Sequence, residues 1–366
     1  MFTKIETTGD FLGSYDYSLP KSLIALAPKS PRDFSKLLVY DTASDKVYTD
    51  RFYNLSQYLP EKSFLVLNDT KVVPSRVILK KETGGKVVVM LLVNEKTGDG
   101  LIKAMVDRKV NLGTKLYLDE KRFFLVCDQK NNVFLLKYNS SHKDLFKCLQ
   151  VLGHMPIPLY LRKTKLSEAE LRKKYQTIFA HTQGSVAAPT ASLHFTDRVF
   201  HKIEQKGIRR YEVTLHVGMG TFAPIEKNNL LTKKLHEEYF EIKSGSLQCF
   251  KTLKSQGWKL VAVGTTVTRT LESLSSKSQA ASYKKITDPN SQTIMGKTDL
   301  FIFPPYDFEM VDCLITNFHL PGSSLMMLVE AFLQHKSAKK HLVDLYGFAI
   351  KNKFRFYSFG DAMLII

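Results

Sequence analysis

Cysteine is scarce in this chain: Cys127, Cys148, Cys249 and Cys313 stand far apart, with no CxxC pair among them. That excludes a disulfide-stapled scaffold and a cysteine-ligated zinc site, and it fits a reducing cytoplasm. No ligand-spaced cluster appears along the sequence, so no metal is expected. Long apolar runs are missing too. Nothing approaches the roughly 20 residues that a membrane-crossing helix needs, so no membrane partner is expected. Residues 1–10 carry acidic side chains and no continuous apolar stretch, so no secretory leader is expected there.

Positive charge is in excess. Lys and Arg number 53 against 35 Asp and Glu, a formal net charge of +18. Such a balance concentrates a polyanion near the surface and speeds its capture. A generally basic proteome gives the same balance, so charge admits a nucleic-acid partner without naming one. The 366 residues leave room for two cored domains.

The pattern changes along the chain. Residues 37–41 and 64–68 are compact apolar runs suited to buried strands, and 52–59 between them has the look of a short helix ending before Pro60. From 72 to 138, short β-type segments are separated by turn signals such as Gly84-Gly85 and Asn131-Asn132, with no helix between them. That spacing predicts a small antiparallel barrel or sandwich. After Ser140, helical segments at 143–153, 166–175, 197–206, 246–256, 266–274 and 324–332 alternate with strands at 211–217, 259–263 and 313–316. Alternation of this kind builds a sheet with helices on its faces. The expected architecture is an α/β main domain with an inserted small antiparallel β-barrel, the former spanning 1–72 and 150–366 and the latter 73–149. Residues 275–291, rich in Ser and Lys, are expected to form a surface loop.

Four segments between Gly184 and Gly322 have chemical character. Residues 184–192 are nearly all small, so the backbone there can approach a ligand closely, and His194 follows just before a helix. A tight packing loop would have the same composition. Residues 213–222 run from a strand through His216 into Gly218-Met219-Gly220; no helix follows, so the dinucleotide fingerprint is not met. His216 fits a core histidine as well as a catalytic one. Residues 259–269 read as strand, Gly264-Thr265-Thr266 turn and helix, an arrangement that favours an anion, with Arg269 one turn in as a possible second grip. A capped helix with a surface arginine is the plainer reading. Residues 312–324 end a buried strand in Asn317 and His319 ahead of a Ser-capped helix. Ligands in open α/β sheets sit at the carboxyl ends of strands, so the strand ends near Val217, Val263 and Thr316 nominate one crevice. His236 beside Glu237 forms a second group, either tuned for proton work or simply solvated.

Taken together, these segments resemble the S-adenosylmethionine:tRNA ribosyltransferase-isomerase family of queuosine biosynthesis, over nearly the whole chain. The resemblance also rests on Tyr15-Asp16-Tyr17, Pro31-Arg32-Asp33, residues 67–76, Gly153-His154-Met155-Pro156, Thr298-Asp299 and residues 357–363. It implies an α/β domain with an inserted barrel. It also implies transfer and isomerisation of the ribosyl unit of S-adenosylmethionine onto 7-aminomethyl-7-deazaguanine at the wobble position of tRNA. Epoxyqueuosine forms, and adenine and methionine leave. S-adenosylmethionine is then a consumed substrate, with no cofactor, and the enzyme is expected to be a cytoplasmic monomer. The chain departs from the family pattern at Ser192, Val88, Val267-Thr268, Lys297 and Pro305, without loss of a histidine, Arg269, Asp69 or Asp299.

Residue type suggests roles. His194, His216 and His319, with His236 and Glu237 as a second group, are the candidates for proton transfer. Arg269 with Gly264, Thr265 and Thr266 is expected to hold the methionine carboxylate or a tRNA phosphate. Asp69 and Asp299 are expected at the deazaguanine edge or a ribose hydroxyl. Arg76, Thr190, Gly218, Gly220 and Asn317 complete the expected substrate contacts. An RNA methyltransferase that uses S-adenosylmethionine, and an RNA-binding protein without catalysis, are the rival readings.

Overall fold

The computed structural model describes residues 13–95, 97, 100–218, 225–275, 286–287 and 292–366. Strands Lys36–Asp41, Ser63–Asn68 and Lys259–Val263 are apolar along most of their length, so both of their faces seek cover. The structure covers both. Leu38, Tyr40, Phe64, Val66, Leu260 and Ala262 pack into one core, and Leu37, Val39, Leu65, Leu67, Val261 and Val263 into another. This is the two-residue alternation of a strand carried through a sheet buried on either side.

These strands belong to a ten-stranded mixed sheet. Ser63–Asn68 lies parallel between Arg209–Leu215 and Lys259–Val263, and Cys313–Asn317 lies parallel beyond the latter. Four neighbouring strands therefore end at the same edge. Ala362–Ile365, Lys36–Asp41 and Lys46–Arg51 extend the sheet past Cys313–Asn317. The first core is covered by helices Thr265–Ser273, Ser324–His335 and Leu342–Lys351, through Val267, Leu271, Met327, Phe332 and Leu345. The second is covered by Asp197–Gln205 and by Phe52–Gln57, a 3-10 element where a short α-helix is expected.

Residues 234–243 show no clean apolar period because Glu237, Glu238 and Glu241 interrupt it. The structure makes them a strand, Lys234–Lys243, paired antiparallel with Arg209–Leu215 and Thr293–Leu300. Its alternation turns Glu238, Phe240 and Ile242 inward. Most of the expected loop 275–291 lies outside the described residues.

Six strands from Arg76–Lys81 to Val133–Tyr138 close into an antiparallel barrel. Val77, Leu79, Val87, Val89, Ile102, Ala104, Phe124, Val126, Phe134 and Leu136 fill it. Val88 falls on the alternate, half-buried side, where its N–H donates to Asp107 at 3.0 Å. Helix His142–Leu152, capped by Ser141, packs Leu145 and Leu149 against that core. The chain leaves the barrel where it entered: the backbones of Arg76 and His154 exchange hydrogen bonds of 3.2 and 2.7 Å. Gly153 makes this crossing possible, since a Cβ there would stand 1.8 Å from the Pro74 carbonyl oxygen. The obstacle is backbone on both sides. Gly153→Ala is therefore expected to lose on the order of 2–3 kcal/mol, read as a lower urea midpoint, with no effect of this size from Gly245→Ala, where the added methyl meets open space.

Candidate active site

A cleft of about 410 Å³ opens at the edge where the parallel strands end. One wall is the small-residue segment Ala188, Pro189, Thr190 and Ala191; the opposite side carries residues 316–323; Val217 and Gly264, Thr265 and Thr266 form the floor between them. The three strand ends nominated by the sequence therefore meet, and the volume is in the range of small-molecule sites. Gly264 sets the floor. Its φ of +93° is open to glycine and strained for other residues, and its N–H donates to the Ile315 carbonyl at 2.7 Å. The turn delivers the first amides of helix Thr265–Ser273 to the cleft. Asn68 ties this floor to its neighbours, donating to the Leu215 carbonyl at 3.0 Å and to Thr266 Oγ1 at 3.3 Å, and accepting from the Leu215 and Thr70 amides.

The histidines fall in three different places. His319 lines the cleft, half-buried, with Nε2 2.8 Å from Thr316 Oγ1. Its backbone is held as well: Tyr17 donates its hydroxyl to the His319 carbonyl, and the His319 N–H donates to the Tyr346 hydroxyl. Desolvation brings the imidazole down to about 3. His194 sits behind the wall, buried against the Phe52 ring, with Nδ1 3.0 Å from Ser35 Oγ and Nε2 3.3 Å from Asn317 Nδ2. Burial, then the nearby charges of Arg355 and Arg32, bring it down to about 3 as well. His216 is buried below Gly184 with Nδ1 2.7 Å from Thr70 Oγ1; a Cβ at Gly184 would strike its ring at 2.7 Å. Neither His194 nor His216 lines the cleft.

Arg269 is not a surface arginine. It is buried against Glu238, to which Nη1 donates, while Nε donates to the Leu300 carbonyl at 3.0 Å. Glu238 also accepts the Gly218 N–H at 2.9 Å, so the pair holds the backbone at Gly218. Residue type at 236–238 drew attention to His236 and Glu237, but both are exposed, and Glu237 pairs with Lys297 at 3.0 Å. The inward carboxylate is Glu238. Asp299 is tied to Lys234 at 2.8 Å, outside the cleft. Gly220 lies outside the described residues.

Asp69 faces a different groove, of about 470 Å³. Its carboxylate accepts from Thr214 Oγ1 at 2.6 Å and pairs with His181 Nε2 at 3.0 Å; ligand atoms of Asp69, His181 and Glu212 lie within 4.8 Å of one another, a trio not adjacent in sequence. Arg76 is at the barrel joint, paired through its backbone with His154. Residue type also passed over Tyr160, Tyr357 and Ser358, which line the cleft beside the nominated strand end at Thr316. Tyr160 and Ser358 share a hydrogen bond, and burial pushes the Tyr160 hydroxyl up to about 12. Only the resemblance at 357–363 marked that segment.

Two outcomes follow from these contacts. Glu238→Ala strands a buried guanidinium and is expected to cost on the order of 3 kcal/mol in denaturant unfolding, whereas Glu237→Ala stays within about 0.5 kcal/mol. Because the His194 and His319 pKa values fall from 6.5 to about 3 on folding, the unfolded chain binds more protons between those values, and stability drops as pH falls through that window. His319→Asn removes one such group and is expected to flatten the stability slope between about pH 6.5 and 5.

The chain matches the family model for queuosine biosynthesis protein across residues 12–365. It is 41% identical to the S-adenosylmethionine:tRNA ribosyltransferase-isomerase of Thermosipho melanesiensis, over 97% of this chain and 99% of that relative. It is 38% identical to the protein of the same description from Fusobacterium nucleatum, over 97% of each. The crystal structure of S-adenosylmethionine tRNA ribosyltransferase from Thermotoga maritima is 31% identical and superposes with a TM-score of 0.52, covering 96% of this chain and 99% of that one. A closed barrel beside a mixed sheet with helices, and identity of this extent, agree with one another: the chain belongs to the queuosine biosynthesis family of S-adenosylmethionine:tRNA ribosyltransferase-isomerases.

Proposed function

We propose that this enzyme transfers and isomerises the ribosyl unit of S-adenosylmethionine onto the aminomethyl group of 7-aminomethyl-7-deazaguanine at the tRNA wobble position. The products are epoxyqueuosine in the tRNA, with free adenine and methionine. The observation that carries this reading is the cleft at the parallel strand ends, where the Gly264 turn, His319 and Asn317 meet in one volume. The helix amides after Gly264, with the Thr265 and Thr266 hydroxyls, suit the methionine carboxylate, because a helix N-terminus favours negative charge. Arg269 serves here through Glu238 and the Gly218 backbone, and it leaves the carboxylate to those amides. His319 is the histidine placed for proton transfer, because among the three candidates it alone lines the cleft. The sulfonium compound is consumed as substrate, in keeping with a Gly218-Met219-Gly220 segment that does not continue as a methyltransferase fingerprint. The same reading has the enzyme act in the cytoplasm as a monomer, on a tRNA drawn in by the net charge of +18.

Incubation of the enzyme with S-adenosylmethionine and tRNA bearing the aminomethyl base tests this directly. Free adenine is expected to accumulate in step with modified tRNA, and His319→Asn to slow it by about a hundredfold or more. Methylated RNA with S-adenosylhomocysteine in place of adenine would contradict the reading.

A further inference from the structure

Three buried side chains form a hydrogen-bonded chain that ends at the cleft: Ser35, His194 and Asn317. The direction of each hydrogen bond along it is fixed by elimination. Ser35 has one hydroxyl proton, which it donates to the Arg32 carbonyl at 2.7 Å. Towards His194 Nδ1, 3.0 Å away, Ser35 Oγ is then an acceptor, so Nδ1 carries the imidazole proton. With the ring neutral, Nε2 is left as a lone pair, and it faces the Asn317 amide nitrogen at 3.3 Å. The same nitrogen also faces the carbonyls of Tyr357 and Asp361, each at 3.5 Å. Every protein group around Nδ2 is thus an acceptor. The other end of the amide, Oδ1, is buried without a partner among the described residues, on a side chain that lines the cleft.

We propose that His194 is a positioning residue whose fixed tautomer holds the Asn317 carboxamide by its nitrogen, leaving its buried oxygen as the acceptor for one hydrogen-bond donor of a ligand in the cleft. A buried acceptor with no partner is costly, so an N–H or O–H that reaches it gains both a hydrogen bond and relief of that cost. The amide nitrogen is already committed, so Asn317 does not read an adenine edge in the paired donor–acceptor manner open to a free asparagine. It selects for a donor alone. On S-adenosylmethionine the groups of that chemistry are the 6-amino group, the α-ammonium and the ribose hydroxyls. The inference rests on the reading that the cleft takes S-adenosylmethionine, and it assigns His194 no proton transfer to substrate.

A double-mutant cycle tests it, with the dissociation constant of S-adenosylmethionine measured by calorimetry and steady-state kinetics alongside. His194→Phe keeps the ring packed on Phe52 but removes Nε2, so the amide is free to turn. Asn317→Ala removes the acceptor. Each is expected to weaken binding about tenfold, with the double variant no weaker than either one. His194→Gln, whose side-chain carbonyl can take the place of Nε2, is expected to recover most of the affinity; if His194→Phe does not fold, His194→Leu, which also lacks Nε2, takes its place in the cycle. Analogues lacking the 6-amino group, the α-amino group or a ribose hydroxyl identify the donor: one of them should bind the unaltered enzyme about tenfold more weakly yet bind Asn317→Ala as S-adenosylmethionine does. Additive losses in the double variant would overturn the proposal. So would a His194→Phe enzyme that keeps its affinity but loses a limb of the kcat–pH profile, since that marks proton transfer. Failure of the unaltered enzyme to bind S-adenosylmethionine, by contrast, overturns the assignment of the cleft itself.

Discussion

The hydrogen bond from the Gly264 N–H to the Ile315 carbonyl crosses between two parallel strands just where both end. The strand Lys259–Val263 turns there at a φ of +93°, a conformation that costs glycine little and other residues more. Because the turn is that tight, the next residues enter a helix at once and their amides remain at the sheet edge. Asn68 extends the same tie sideways, bridging Leu215 and Thr266. The floor of the cleft is thus a property of backbone pairing, and the side chains that face it are carried on fixed supports. Preorganised dipoles of this kind act on a ligand without reorganising when it arrives.

The cleft is unlike the rest of the protein in its charge. The chain carries a net +18, yet no formally charged side chain is among the described residues that line the cleft. The buried charges lie elsewhere: Arg269 is bound to Glu238 beside Gly218 and Arg355 to Asp361, while the Asp69 carboxylate meets Thr214 in the second groove. His319 and His194 are held neutral by desolvation. Ligand groups in the cleft therefore meet amides, hydroxyls, a carboxamide and an uncharged imidazole. The net positive charge lies outside the cleft lining, where it can attract a polyanion over longer range.

Much of this was legible in the sequence, for physical reasons that can be named. The small residues at 184–192, the Gly264-Thr265-Thr266 turn and the Asn317-His319 strand end follow directly from what a strand, a glycine and a helix start do locally. The closely spaced turn signals marked the barrel. What the sequence concealed depends on alternation and long-range burial. Glu238 rather than Glu237 is the inward carboxylate because the strand Lys234–Lys243 alternates, and a run of three polar residues does not reveal its own register. His194, His216 and His319 are alike by residue type; tertiary packing sends one into the cleft, one behind its wall and one beneath Gly184. Asp69 stands one residue from Asn68, yet Asp69 faces the second groove while Asn68 is buried against Thr266 beneath the cleft. The departures at Val88 and Lys297 fall on a barrel strand face and in an exposed ion pair, away from the cleft.

The central claim concerns place: one cleft, at the ends of the parallel strands, holds S-adenosylmethionine. A crystal structure of the enzyme with that compound tests it most directly. The carboxylate is expected at the amides of Thr265 and Thr266, with a donor group within hydrogen-bond reach of Asn317 Oδ1. Density for the compound in the groove beside Asp69, His181 and Glu212, with the cleft unfilled, would contradict it.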